Sequence, residues 1–238
     1  MTTVAVVVVD KNLIINSCSK LLSSSSQVIL GEDFEFKIVV EDFKKEIKSF
    51  DAFNQWKENE LNPKIFNDFT IDWIFLCDLL NFSFWEDENF NSEIEFNGKI
   101  YKNYWSLPAT LNKFKFLVNP KFYSKINLKE FDEIFNPKIS LKFERIKLMN
   151  ESGNVLIENY NGSFSNFLKS TGTFDSWNFI NRLIKEFPSF LDFNEENNSV
   201  SVWFLKRAQI LVADLWAASE GKLFNDTIKD LTIFADYR

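Results

Sequence analysis

The chain of 238 residues contains no histidine and only two cysteines, Cys18 and Cys77. Without histidine, Ser-His-Asp and Cys-His catalysis are excluded, and the commonest side-chain metal ligand is missing. Two thiols so far apart in sequence are too few for a zinc site or a disulfide framework, so reduced cysteines are expected. The sequence also lacks a glycine-rich phosphate loop, a nucleophile elbow and any metal-ligand spacing, so no metal is expected.

Long hydrophobic runs are absent as well. The apolar stretch Val4–Val9 is six residues long and ends at Asp10 and Lys11, which fits neither a signal peptide nor a membrane span. A soluble cytoplasmic protein is therefore expected. The net charge is −7, from 34 acidic and 27 basic residues. An acidic chain is unsuited to direct nucleic-acid binding, whereas a few lysines or arginines can still bind a small substrate with one phosphate.

Apolar residues recur mainly at helical spacing, which predicts a mainly α-helical single domain over residues 1–238. Thr70–Trp85 is apolar nearly all round and predicts a buried central helix, capped by Thr70 with Asp72 in its first turn. Asn150–Gly153 resembles a turn. Further helices are predicted within Glu41–Trp56, Tyr104–Phe114, Leu128–Phe135, Gly162 onward, Trp177–Phe187 and Lys206–Trp216.

One small β-hairpin is predicted within this helical domain. Ile94–Tyr101 alternates apolar and polar residues around Asn97 and Gly98, and Asn-Gly is the preferred sequence of a two-residue hairpin turn. Val200, Val202 and Phe204 alternate only briefly.

The residues that could carry chemistry each have a simpler structural interpretation. Asp236 lies between Phe234 and Tyr237. A carboxylate flanked by aromatic rings is suited to a site that holds a flat heterocycle and stabilises positive charge on the group bonded to it. The simpler interpretation is an ordinary surface carboxylate. Lys206, Arg207 and Asp214 lie on or beside the polar side of the last helix. Either they form a solvated ion-pair face, or Lys206 or Arg207 binds an anionic group of a substrate.

Four segments together resemble the queuosine salvage protein family. They occur in the family's order between about Ile15 and the last residue, and they are Phe75–Trp85, Tyr101–Leu107, Lys206–Trp216 and Phe234–Arg238. The resemblance implies a helical domain related to the helical DNA glycosylases. It also implies hydrolysis of queuosine 5′-phosphate, or of queuosine, which releases queuine for tRNA modification without a cofactor.

The resemblance also implies roles for individual residues. Asp236 would be the catalytic carboxylate, as nucleophile or as stabiliser of the positively charged sugar. Phe234 would pack against the queuine ring, and Tyr237, Lys206 and Arg207 would complete the substrate site together with Asn59. Asn59 stands where family members have a histidine before a Leu-Asn-Pro turn, and asparagine can donate and accept hydrogen bonds but cannot carry a proton charge.

The family continues beyond its Phe-Ala-Asp-Tyr-Arg motif with a helical segment that contacts queuine, and nothing in this sequence matches that segment. A C-terminally truncated product is therefore expected. One alternative is an inactive remnant that binds a nucleoside or interacts with partners only. Another, a DNA-repair glycosylase, rests on fold analogy alone, and the acidic charge argues against it.

Overall fold

The computed structural model describes residues 11–16, 52–84, 91–195 and 201–232. Within these ranges the chain is mainly helical, as predicted. Residues 11–16 are helical, and the other described α-helices are α1 (Ala52–Glu58), α2 (Asp68–Leu79), α3 (Ser106–Lys113), α4 (Pro120–Tyr123), α5 (Leu128–Ile134), α6 (Lys142–Asn159), α7 (Phe164–Ser170), α8 (Ser176–Glu186) and α9 (Lys206–Ala218). Short 3-10 turns occur at Asn103–Trp105, Lys115–Val118, Pro188–Phe190 and Ile228–Asp230.

Helix α2 lies at the centre, with α9, α7, α3 and α6 packed around it. Its apolar residues point in all directions, so every residue from Thr70 to Leu79 except the half-buried Asp72 is buried. The predicted cap is wrong by one turn. Asn67 caps the helix by accepting the N–H of Thr70 at 3.0 Å, while the Thr70 hydroxyl donates to the carbonyl of Ile65. Asp68, rather than Asp72, is therefore the acidic residue of the first turn.

Asp72 instead connects α2 to the start of α7. Its Oδ1 accepts the Ser163 hydroxyl at 3.1 Å and the backbone N–H of Ser165 at 2.8 Å. A helix leaves its first N–H groups without partners, and Asp72 satisfies one of them from a neighbouring helix. Burial raises the pKa of Asp72 to about 6 despite these hydrogen bonds.

The C-terminal end of α2 is held by two buried arginines. Arg145 of α6 donates to the carbonyl of Leu80 at 2.6 Å and to that of Phe82, and Arg207 of α9 donates to the carbonyl of Leu79 at 2.9 Å. Both guanidiniums also lie over the Phe82 ring, at 4.4 Å and 5.3 Å from its centroid. The sequence predicted a helix that reaches Trp85, but α2 ends at Leu79. The last carbonyls of a helix have no N–H partner from a following turn, and here the two arginines supply the donors.

The turn predicted at Asn150–Gly153 is wrong, because α6 runs through it without a break. Gly153 is buried where α6 crosses α4, and a Cβ added there would lie 2.7 Å from Cβ of Ser124. The glycine marks a close helix–helix approach, which the sequence alone does not distinguish from a turn.

The predicted hairpin is confirmed as strands β1 (Glu93–Phe96) and β2 (Lys99–Lys102), paired antiparallel. Asn97 and Gly98 have φ of 51° and 75°, the left-handed conformation that a type I′ turn requires. A second, shorter antiparallel pair comprises β3 (Phe193–Glu195) and β4 (Ser201–Trp203). Of the brief alternation, Val202 lies in β4, Phe204 follows the strand, and Val200 lies outside the described residues.

Several sequence features lie outside the described residues, among them Val4–Val9, Cys18 and most of the helix predicted within Glu41–Trp56. Of that helix, the structure describes the part from Ala52 onward, as α1. In the described ranges, no helix has both the length and the apolar character needed to cross a membrane.

Replacing Gly153 with alanine should destabilise the fold. The new methyl group would overlap Ser124, and overpacking of this kind costs about 1–3 kcal/mol, which outweighs the ~1 kcal/mol that alanine gains over glycine inside a helix. Urea denaturation of Gly153→Ala beside Asn154→Ala, an exposed position of the same helix, measures the difference. Equal stability of the two variants would contradict the close approach.

Replacing Arg145 with methionine should lower the free energy of unfolding by about 3–5 kcal/mol, because buried carbonyls at the end of α2 lose their donor. Thermal or urea denaturation measures the loss. Arg182→Met serves as control, since the hydrogen bonds from Arg182 to Ser170 are long and exposed. A loss no larger than that of the control would refute the role assigned to Arg145.

Candidate functional site

Two adjoining cavities open between α1, the β1–β2 hairpin, the 3-10 turn Asn103–Trp105 and α9. The smaller cavity has a volume of about 430 Å³ and the larger about 910 Å³. Asn59, Tyr104 and Trp105 line both. A heterocyclic ligand therefore has space in either cavity and can extend from one into the other.

The smaller cavity has mainly aromatic walls. Its lining comprises Ala52, Gln55, Trp56, Asn59, Asn62, Trp73, Tyr104, Trp105, Ala213, Asp214, Trp216 and Ala217. The Trp56 indole N–H donates to the carbonyl of Pro63 at 3.2 Å. The indole nitrogens of Trp73 and Trp216 are buried and have no hydrogen-bond partner in the structure. Buried donors of this kind normally have a partner, so these two indole groups are exceptions among the described residues.

Asp214 is the one ionisable carboxyl among these lining residues. Burial raises its pKa to about 7. Asp78 of α2 lies nearby. Burial raises the pKa of Asp78 well above its usual range, and the negative charge of Asp214 raises it further. The Arg207 cation opposes this shift. Burial thus favours the protonated form of Asp78, whereas Asp214 titrates near neutral pH.

A thiol and a phenol complete this buried group. The Cys77 sulfur lies 3.8 Å from the Tyr104 hydroxyl. Burial raises the pKa of the Cys77 thiol well above its ordinary value. The pKa of the Tyr104 hydroxyl is also raised, by the nearby Cys77 and by burial. Both are neutral at physiological pH, so Cys77 is no thiolate nucleophile.

The larger cavity is more polar and more exposed. Lys99 and Lys102 of the hairpin line it, opposite Glu58 and Glu60. Glu60 accepts hydrogen bonds from the Lys99 ammonium at 2.7 Å and the Tyr101 hydroxyl at 2.8 Å. These bonds lower the pKa of Glu60 and attach the hairpin to the loop that follows α1.

Asn59, the residue predicted to replace the family's histidine, lies in the wall between the two cavities. Its Oδ1 accepts the backbone N–H of Leu61 at 3.0 Å. This bond fixes the side chain at the start of the Leu-Asn-Pro turn.

Arg207 is buried, with 8% of its surface exposed. Its guanidinium donates to the carbonyls of Leu79 and Ser189 and pairs with Asp192 at 3.0 Å. The solvated ion-pair interpretation of this residue therefore does not hold. Lys206 begins α9 and is half-buried.

Asp236, Phe234 and Tyr237 lie outside the described residues. The last described residue, Thr232, donates its backbone N–H and its hydroxyl to Oε1 of the buried Gln209, at 2.8 Å and 3.0 Å. The chain is thus attached to α9 six residues before its last residue.

Sequence reasoning missed the group formed by Cys77, Asp78, Tyr104 and Asp214. Asp78 and Asp214 each interrupt an apolar helix, and that was the available signal. Within the described ranges, no three cysteine, aspartate or glutamate side chains come together as a metal-binding group.

The family model described as queuosine salvage protein matches residues 61–238. A Schizosaccharomyces pombe protein named queuosine 5′-phosphate N-glycosylase/hydrolase is 38% identical over 207 residues, which cover 78% of this chain and 59% of that protein. Proteins of the same name from Nematostella vectensis and Mus musculus are each 36% identical, over 79% and 77% of this chain and 56% and 57% of their own lengths.

The chain thus spans less than two thirds of the length of these relatives. The matched region nevertheless extends from the turn after α1 to the last residue and takes in α2, α9 and the Phe234–Arg238 motif. Because it makes up most of the sequence, the chain belongs to the queuosine salvage protein family.

Proposed function

We propose that this chain hydrolyses the N-glycosidic bond of queuosine 5′-phosphate and releases queuine for tRNA modification. The observation that carries the proposal is the family match over residues 61–238, which includes both the helix beside the cavities and the motif around Asp236. A cytoplasmic location and the absence of direct nucleic-acid binding remain predictions.

The proposed chemistry needs one carboxylate and a support for the departing base. Cleavage of an N-glycosidic bond develops positive charge on the sugar, and a nearby carboxylate lowers the energy of that state. Asp236 is proposed for this role, while Phe234 and Tyr237 offer ring faces to the base. Water supplies a hydroxyl to the sugar and a proton to the base, so the products are queuine and ribose 5-phosphate.

The attachment of Thr232 to Gln209 supports this assignment, because it holds the chain beside α9 shortly before the Phe234–Arg238 motif in sequence. Asp236 follows Thr232 by four residues, and four residues span at most about 14 Å. Along α9, Asp214 lies five residues beyond Gln209, a rise of about 7.5 Å. The last described residue therefore lies beside the helix that carries Asp214.

Two further residues are proposed to bind the substrate. Asn59 lies where the cavities meet, so its amide can bond a ligand in either cavity. Lys206 is the better proposed ligand for the 5′-phosphate, because the donors of Arg207 already serve Leu79, Ser189 and Asp192. Arg207 is then proposed to act on the site by fixing α9 against α2.

Asp236→Asn should lower the rate of queuine release from queuosine 5′-phosphate by about 100-fold or more, because the amide carries no charge to stabilise the developing cation. Chromatographic measurement of free queuine from purified protein tests this, with Asp226→Asn as an exposed control of the same chemistry. Undiminished release by Asp236→Asn would refute the catalytic assignment.

Lys206→Met should raise the KM for queuosine 5′-phosphate about tenfold and leave the KM for queuosine unchanged, since only the former carries the phosphate that a lysine can bind. Steady-state kinetics with both substrates tests this, with the exposed Lys229→Met as control. Equal effects on both substrates would count against a phosphate contact.

The second candidate function is nucleoside binding without hydrolysis, and the coverage of only 56–59% of the relatives' length favours testing it. Binding of queuosine 5′-phosphate by calorimetry, without release of queuine from the unaltered chain, would establish that function and overturn the proposed enzyme.

A further inference from the structure

The smaller cavity is lined by aromatic residues and an acidic residue, without a basic one. Five aromatic side chains surround it, from Trp56, Trp73, Tyr104, Trp105 and Trp216. Asp214 is the one acidic residue among the lining residues, and none of them is a lysine or an arginine. The larger cavity differs, because Lys99 and Lys102 line it.

Aromatic walls around a single carboxyl are suited to a positively charged group. The face of an aromatic ring carries negative electrostatic potential and attracts ammonium and guanidinium groups, with tryptophan the strongest of these rings. A carboxylate at the wall adds direct attraction, which is stronger where water is excluded. An anionic ligand would meet the opposite field in the same space.

Among the residues that the structure describes, the charged and titratable groups around Asp214 leave its charge without a cation inside the cavity. Cys77 of α2 and Tyr104 of the 3-10 turn are neutral, and burial favours the protonated form of Asp78, also of α2. Arg207 of α9 pairs with Asp192 instead. Lys57 of α1 pairs with Glu220 at 2.9 Å on the surface. None of these described cations therefore neutralises Asp214, and a cationic ligand in the cavity can do so.

We propose that the smaller cavity binds a protonated amine and that Asp214 selects substrates whose base carries one. The inference rests on the proposed function, because the queuosine base bears a secondary amine on a methylene arm, which is protonated at neutral pH. Asp214 is then a specificity-determining residue, separate from the proposed catalytic Asp236.

The test uses two bases of nearly equal size that differ in charge, 7-aminomethyl-7-deazaguanine and the uncharged 7-cyano-7-deazaguanine. Isothermal titration calorimetry measures the affinity of the full chain for each. The unaltered chain should bind the aminomethyl base at least about tenfold more tightly. Asp214→Asn should reduce this preference to about twofold or less, whereas the matched control Asp226→Asn should keep it.

Titration with pH gives a second measurement that needs no variant. Since the pKa of Asp214 is about 7 in the empty cavity, its ionised fraction rises between pH 5.5 and pH 8, while the alkylamine stays protonated. The preference for the aminomethyl base should therefore rise about tenfold across this range in the unaltered chain. A constant preference would overturn the proposal.

Equal affinity for both bases, no binding of either, or a preference that survives Asp214→Asn would also overturn it. Queuine release from queuosine 5′-phosphate is measured alongside with the same preparation. Release without a charge preference refutes the role of Asp214 alone. A charge preference without release supports that role and refutes the proposed hydrolysis.

Discussion

The structure depends on how the central helix α2 ends inside the core. A helix leaves its last carbonyls without partners, and burying them unpaired costs free energy at each group. Arg145 and Arg207 reach this end from α6 and α9 and donate to the carbonyls of Leu79, Leu80 and Phe82. Burial and the neighbouring Arg207 cation lower the pKa of Arg145, and hydrogen bonds to carbonyls together with the Phe82 ring stabilise the two cations so close together.

The same contacts position the candidate site. Because Arg207 fixes the start of α9 against the end of α2, Asp214, two turns further along α9, comes to lie close to Asp78 and Cys77. The β1–β2 hairpin and the 3-10 turn at Tyr104 then close the cavities from the other side, with Glu60 as their connection to the loop after α1. The candidate site lies between segments that are far apart in sequence, so its geometry depends on how the end of α2 packs against α9.

Local signals in the sequence predicted much of this fold. Asn97-Gly98 requires positive φ at two adjacent residues, and α9 has a clear apolar stripe, so both were predicted correctly. Gly153 was misread because a glycine at a turn and a glycine at a helix crossing look alike until Ser124 is placed beside it. The carboxyl pair of Asp78 and Asp214 could not be predicted, because the two residues are far apart in sequence and meet only through tertiary packing. The resemblance supplied Asn59, and its position between the cavities came from the structure.

The raised pKa values of Asp72 and Asp214 make folding a proton-uptake reaction. In the unfolded chain both carboxyls titrate near 3.8, and in the folded chain they titrate near 6 and 7. The native state therefore binds more protons between these values, so these groups stabilise the fold most below pH 4 and progressively less as the pH rises through 6 and 7. With no histidine in the chain, no imidazole titrates across this range. The protonation of these two groups thus stabilises the fold in mild acid, whereas the proposed amine site needs the ionised Asp214, which forms near neutrality. The two requirements act in opposite directions.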